Sequence, residues 1–238
     1  MRNCATLILA LGVTGCVTPY NDSLFPVDEP FRKREMSAHL VPGQTINQGM
    51  IGASFLSGLE RNGGEDPPKA GDSSYPETFP LIAGAVQTAL GGEGLNYGFE
   101  IGASLGFQTG EGFVAVSGNQ GLIVAVDIDL LLVDLFGGPF ISVPLTDRAR
   151  LYVGAGPLVQ FGSYSHEELE GESNEISGHG TGLGFGWNAR AGAEIAVGGT
   201  MMLGFGARWL DSRIGLSDGL GTLDVVGTQV FVSISTGF

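Results

Sequence analysis

From about residue 48 to its C-terminus the chain alternates between apolar and small or polar residues, the period-two signature of β-strands. The closing stretch GTQVFVSISTGF puts Val226, Thr228, Val230, Val232, Ile234, Thr236 and Phe238 on one face. Gly227, Gln229, Ser233, Ser235 and Gly237 share the other face, with Phe231 as the exception. Residues 182–197 repeat the pattern, with Leu183, Phe185, Trp187, Ala189, Ala191, Ala193, Ile195 and Val197 opposite a face that carries Asn188, Arg190, Glu194 and four glycines. Met201, Leu203, Phe205, Ala207 and Trp209 oppose Gly204, Gly206 and Arg208, and Tyr97 to Phe107 alternates with Gly98, Glu100, Gly102, Ser104 and Gly106. Eight strands are predicted, near 48–59, 95–108, 121–133, 138–145, 150–164, 181–197, 201–215 and 224–238. The apolar run LIVAVDIDLLLVDLF reads as a strand, with Asp127 and Asp129 on one face, and not as a spanning helix. PLIAGAVQTALGG (80–92) is assigned to a loop, with a short helix possible, because a ninth strand would put the chain ends on opposite sides.

Two features separate this pattern from a soluble sandwich. The predicted strands mostly run well past the usual ~5–6 residues. The non-apolar face is glycine, serine and asparagine, without the lysine and glutamate that coat exposed sheets. That composition fits the inside of a small barrel whose apolar face meets lipid. The expected fold is therefore all-β, an eight-stranded antiparallel up-and-down transmembrane β-barrel over 47–238, with long external loops at 60–94 and 165–180. TDRA (146–149) and the glycine pair 198–199 then fall on the periplasmic side, together with both termini. Tyr97, Phe107, Phe161, Trp187 and Trp209 fall near strand ends, as an interfacial aromatic girdle requires.

Composition agrees. The chain has 238 residues, 41 of them glycine, yet hydrophobic residues still make up 43%, so it is not a disordered glycine-rich polymer. Twenty-five acids against 11 bases give a net charge of −14, which argues against nucleic acid as a partner.

The N-terminus has its own organisation. Arg2, the apolar stretch Ala5 to Val13 and the box VTGC resemble a bacterial lipoprotein signal. That resemblance implies removal of 1–15, lipidation of Cys16 and a palmitate-bearing N-terminus followed by a periplasmic linker over 16–46. Cys4 and Cys16 are the only cysteines, so processing would leave neither a free thiol nor a disulfide. Val17 after the cysteine implies sorting to the outer membrane. The basic triplet Arg32-Lys33-Arg34 reads as a solvated charge cluster in the linker.

The segments VDIDLLLVDLFGGPFISVPLTDRARLYVGAGPLVQFG and GFGWNARAGAEIAVGGTMMLGFGARWLDSRIGL, with a last strand ending in phenylalanine, resemble the small outer-membrane barrel domain of OmpA-like and opacity-like proteins. ARLYVGAG and the aromatic C-terminus are the more specific marks. The resemblance covers about 95–238 and implies location in the bacterial outer membrane. It also implies Phe238 as the signal read by the barrel-assembly machinery. Partners would be outer-membrane lipids and the barrel-assembly and lipoprotein-processing machineries. The lipid box departs from the common family pattern, and a family of mixed functions transfers architecture more than activity.

Candidate chemistry is sparse. Glu100, Asp127, Asp129, Arg190, Glu194 and Arg208 are expected to point into the lumen and to pair there, since an unpaired charge in a narrow apolar core is costly. His166 and His179 flank the acidic loop HEELEGESNEISGH, but their spacing fits no strong metal template, so no metal site is expected. Ser163 and Ser165 lie near His166 without a recognisable nucleophile motif. There is no phosphate loop, CxxC pair or dinucleotide fingerprint, and no cofactor is expected. The functional expectation is a non-enzymatic outer-membrane barrel lipoprotein, structural or surface-interacting, with a lumen plugged by side chains. The alternatives are a narrow small-solute or cation channel, a ligand-binding barrel and, behind these, a membrane-embedded hydrolase.

Overall fold

A computed structural model of the chain describes residues 37–62, 78–92, 94–116, 122–168, 178–197, 199–217 and 221–237. Eight strands close into one barrel: β1 (Thr45–Asn62), β2 (Thr78–Gly91), β3 (Asn96–Val116), β4 (Leu122–Pro144), β5 (Ala149–Glu168), β6 (Gly178–Val197), β7 (Met201–Leu216) and β8 (Thr222–Gly237). Every neighbouring pair is antiparallel, and β1 meets β8 from Ile46↔Gly237 to Asn62↔Thr222, so no sheet edge is left along the belt. Both ends of the barrel chain lie at one end of the cylinder, with the short connections 92–95, 145–148 and 198–200. The strand ends Asn62, Val116, Glu168 and Leu216 lie at the opposite end.

The expected count is met by a different assignment. Residues 78–91 form β2, where a loop was expected, and 121–133 and 138–145 belong to one strand, β4, instead of two. In β2 both faces are apolar: Phe79, Leu81, Ala85 and Ala89 are buried, while Ile82, Val86 and Leu90 are exposed. Apart from Gln87 the inward face carries no polar contrast, although exposure alternates along the strand except at the half-buried Ala83 and Gly84. In β4 the breaker-like Gly137-Gly138-Pro139 sits inside a strand whose register with β3 runs unbroken from Asn96↔Ser142 to Val116↔Leu122. Amide hydrogen exchange of the detergent-solubilised protein should protect 81–89 as strongly as 98–106; rapid exchange across 78–91 would restore the loop assignment.

The outer surface is an apolar belt that includes Ile82, Phe99, Leu135, Val153, Trp187 and Phe205, all more than half exposed. On β3 the outward run from Tyr97 to Phe107 would rise about 25 Å at ~3.3 Å per residue and a ~40° tilt, the height of a bilayer-spanning belt. Of the five girdle aromatics, Tyr97, Phe107, Trp187 and Trp209 are exposed on this surface, and Phe161 is half-buried.

The interior is layered. At the terminus-bearing end Leu40, Ile46, Ala89, Phe140 and Met202 form one apolar cluster. Towards the opposite end Leu56, Phe79, Leu130, Leu132, Leu158, Leu210, Ile214 and Leu223 belong to a larger one. Residues 37–44, expected to lie in the linker, instead pack onto the barrel: Ala38 and Leu40 are buried, Ala38 N donates to Asp147 O at 3.0 Å, and Gly43 N donates to Ala89 O at 2.8 Å. The apolar side chain of Leu40 has a hydrophobic mouth to enter, which a solvated linker would leave open.

Inward glycines serve the rings beside them. A Cβ on Gly102 would lie 2.4 Å from the Phe136 ring, and one on Gly206 would lie 2.7 Å from the Phe231 ring. Side chains missing on one strand are filled by aromatics from its neighbour.

Candidate functional site

The polar interior between the two apolar layers is the candidate site, and each strand contributes through its inward parity. Its first tier centres on Glu194 of β6. Arg150 Nε donates to Glu194 Oε2 at 2.7 Å, while Gln48 Nε2 and Ser235 Oγ donate to Oε1 at 2.6 and 2.5 Å. Arg150 and Glu194 are direct cross-strand partners on β5 and β6. Arg150 Nη2 also reaches Gln87 Oε1 at 3.0 Å, and Gln87 Nε2 donates to Glu100 Oε2 at 3.0 Å. Glu100 in turn pairs with Arg190. One unbroken hydrogen-bonded chain therefore links β1, β2, β3, β5, β6 and β8.

The second tier centres on Asp134 of β4, which pairs with Arg208 and accepts from Ser104 Oγ and Gln160 Nε2, each at 2.6 Å. Arg208 Nη2 donates to Ser104 Oγ at 2.8 Å, and Ser212 Oγ donates to Gln160 Oε1 at 2.5 Å. Arg190 and Arg208 are themselves cross-strand partners on β6 and β7, an arrangement in which like charges repel. Each is taken by a carboxylate from the far wall, Glu100 on β3 and Asp134 on β4, so these two pairs tie opposite sides of the barrel together.

Aromatic rings separate the guanidinium groups. Tyr152 lies 5.7 Å from Arg150 and 5.1 Å from Arg190, and Phe136 lies 5.8 Å from Arg190 and 4.4 Å from Arg208. Nε and Nη1 of Arg208 have no hydrogen-bond partner, and the Phe136 face is their neighbour. Within these tiers three carboxylates meet three guanidiniums, and the six side chains are at most 3% exposed. The arrangement is charge-neutral, buried and cross-linked.

Four of the six lumen residues expected from sequence are here: Glu100, Arg190, Glu194 and Arg208. Asp129 is not. It is exposed, because the inward positions of β4 are Leu130, Leu132, Asp134 and Phe136, and odd-numbered residues of that strand point out. Asp127 occupies the same register parity, but its side chain lies outside the described residues. Sequence reasoning missed Arg150 and Asp134. Asp134 was placed in a loop that does not exist, and Arg150 was not followed through the parity of its own strand, although Leu151 and Val153 are plainly outward. His179 is exposed and pairs in register with Ser165, whereas His166 pairs with Gly178, one position on. The side chain of His166 lies outside the described residues. Cys16, Phe238 and the Arg32-Lys33-Arg34 cluster lie outside the described residues.

No protein-family model matches the chain, and no curated protein matches it. Solved structures do. The attachment invasion locus protein Ail of Yersinia pestis, in complex with the heparin analogue sucrose octasulfate, is similar over 83% of this chain and 100% of its own, at 12% identity and a TM-score of 0.45. The outer membrane protein OprG from Pseudomonas aeruginosa matches over 84% of this chain and 98% of its own, at 12% identity and a TM-score of 0.48. Neisserial surface protein A matches over 84% and 100%, at 12% identity and a TM-score of 0.39. The barrel assignment itself stands on the closed pairing of the eight strands.

Proposed function

We propose that the chain is a non-enzymatic β-barrel of the bacterial outer membrane, with a structural or surface-interaction role and a lumen closed by its own side chains. The observation that carries this reading is the neutral set of Arg150–Glu194, Arg190–Glu100 and Arg208–Asp134 pairs between two apolar layers. Eight strands enclose a space that side chains just fill, and these side chains are buried. The apolar belt supports insertion into a bilayer. The short connections on the side of the chain ends support a periplasmic position for that end. A lipidated Cys16 on the same side agrees with this orientation and rests on the sequence alone.

The cation-path alternative drew on four inward acids against two arginines. With Asp129 outward and Arg150 inward, that excess loses its basis. Purified protein in planar bilayers should give no unitary currents. Reproducible salt-dependent currents from the wild-type chain would overturn the closed lumen. Mass spectrometry of the mature N-terminus tests the lipid, and an unmodified Cys16 would remove it.

A further inference from the structure

Leu40 enters the barrel mouth on the side of the chain ends, and the sequence beside it explains how. In Val41-Pro42-Gly43-Gln44 the Gln44 N donates to Val41 O at 3.0 Å, and Gly43 has a φ of 82°. Proline at the second position and glycine at the third are what a type II turn requires. The Gln44 side chain closes the same turn, its Oε1 accepting from Val41 N at 3.1 Å. The turn sends the chain back from the start of β1, and residues 37–41 run from it to the 145–148 connection, where Ala38 N meets Asp147 O.

Between these two anchors β3 holds Leu40 by its backbone. With its amide nitrogen turned to Leu40 O, Asn96 donates to that oxygen at 3.0 Å and accepts from Leu40 N at 3.3 Å. The Leu40 side chain is buried among Ile46, Ala89, Phe140 and Met202. Ile46 and Gln48 are successive inward positions of β1, and Gln48 donates to Glu194 at 2.6 Å. The fully buried Arg150–Glu194 pair therefore lies immediately behind the layer that Leu40 completes.

The hold on this segment is light. Of residues 37–44 only Ala38, Leu40 and Gln44 are buried, while His39, Val41, Pro42 and Gly43 are exposed. His39 Nε2 lies 3.4 Å from Asp147 Oδ1 in an exposed contact, where an ion pair adds little. One leucine and one alanine side chain are set against the backbone freedom of the whole segment. None of its residues belongs to the ladders that close the barrel, which begin at Thr45 and Ile46. The segment can therefore leave without breaking a strand pairing. Resting on the closed-lumen reading above, we propose that residues 37–44 are a reversible lid over the mouth on the chain-end side. Its opening admits water to the Arg150–Glu194 tier, while the apolar layer around Leu210 keeps the opposite end shut.

Two reporter cysteines test the lid in the full chain in detergent micelles. Met202→Cys places a thiol under the lid, and Leu210→Cys places one in the far apolar layer. Each is exposed to a charged methanethiosulfonate and its modification is followed by peptide mass spectrometry, so that Cys4 and Cys16 do not enter the reading. With the lid unaltered, Met202→Cys should react slowly but to completion. Leu40→Asp should speed that reaction at least ten-fold, deletion of 37–42 as much, and Asn96→Ala several-fold. Val41→Asp, on the exposed side of the same segment, should leave the rate unchanged, and Leu210→Cys should stay unreactive throughout. A Met202→Cys thiol that never reacts makes the segment a fixed plug, and one whose rate ignores both Leu40→Asp and the deletion lies under no lid. Either result overturns the proposal. Rapid modification of Leu210→Cys with the lid unaltered would instead refute the closed lumen on which it rests. Heat-modifiable gel migration shows for each variant that the barrel is folded when its rate is read.

Discussion

Glu194→Ala will destabilise the barrel by about 3–5 kcal/mol, the cost of leaving one partner of a buried ion pair uncompensated. Glu194 is the acceptor on which Arg150, Gln48 and Ser235 converge. Its removal strands a guanidinium that is fully buried. Glu194→Gln should fall between alanine and wild type, because a neutral amide oxygen still accepts hydrogen bonds while the Arg150 charge loses its counter-ion. The double variant Glu194→Leu/Arg150→Met should recover most of the loss, since hydrophobic replacement of a whole buried pair is often neutral. Urea unfolding in detergent micelles, followed by fluorescence of Trp187 and Trp209, gives these differences. If the double variant is as unstable as Glu194→Ala, the loss does not come from the unpaired charge and the electrostatic account fails.

That contrast also bears on why the network is there. Replacing a whole buried ion pair by apolar groups is often neutral, so the pairs are better explained by what they specify. Arg190 and Arg208 oppose each other on adjacent strands and are satisfied only by acids from β3 and β4. A slip of one residue in the β3–β4 half would turn Glu100 and Asp134 outward, into lipid, and leave both arginines unpaired. The tiers thus penalise wrong register in the part of the interior that lies between the two apolar layers.

How far the sequence could be read depends on which side of the wall was apolar. Where the inward face is polar or glycine, as in β3, β6, β7 and β8, parity came directly from alternation, and Glu100, Arg190, Glu194 and Arg208 were placed correctly. Near the barrel ends the interior itself is apolar, and the rule of polar inside, apolar outside loses its contrast. Phe79 and Leu81 in β2 and Leu130 and Leu132 in β4 are buried in the lumen and look in sequence like lipid-facing residues. The same cause hid β2, whereas β4 was split at the breaker-like Gly137-Gly138-Pro139, and the two errors cancelled in the strand count. It also turned Asp129 inward by assigning polarity to a face that on this part of β4 is the outer one. Arg150–Glu194 is a direct cross-strand pair, but its register is set across the 169–177 connection, and local spacing cannot supply that. Leu40 was hidden for another reason: a single leucine among prolines carries no periodicity, and its burial follows from the mouth it enters.

Gly192→Ala will destabilise the barrel by about 1–3 kcal/mol, although alanine is the smallest possible side chain, because the site is already filled from across the strand. A Cβ there would lie 2.4 Å from Tyr152 Oη and 2.5 Å from Cζ, and its three nearest neighbours are all atoms of that ring. Tyr152 has little freedom to move aside, since it is 2% exposed and lies between the guanidinium groups of Arg150 and Arg190. Displacing it would disturb the first tier as well as the packing. Gly192↔Tyr152 is a direct register pair, so the two positions should couple strongly. Tyr152→Leu alone should cost stability through lost ring contacts. In its presence Gly192→Ala should cost little, because the clashing atoms are gone. Unfolding of the four proteins of this double-mutant cycle measures the coupling. Additive losses would mean that Gly192 is required for the strand backbone itself and not for the ring laid over it. A glycine needed only for backbone reasons would resist rescue. One needed for Tyr152 is half of a two-residue unit, and alternation in the sequence exposes only the glycine half.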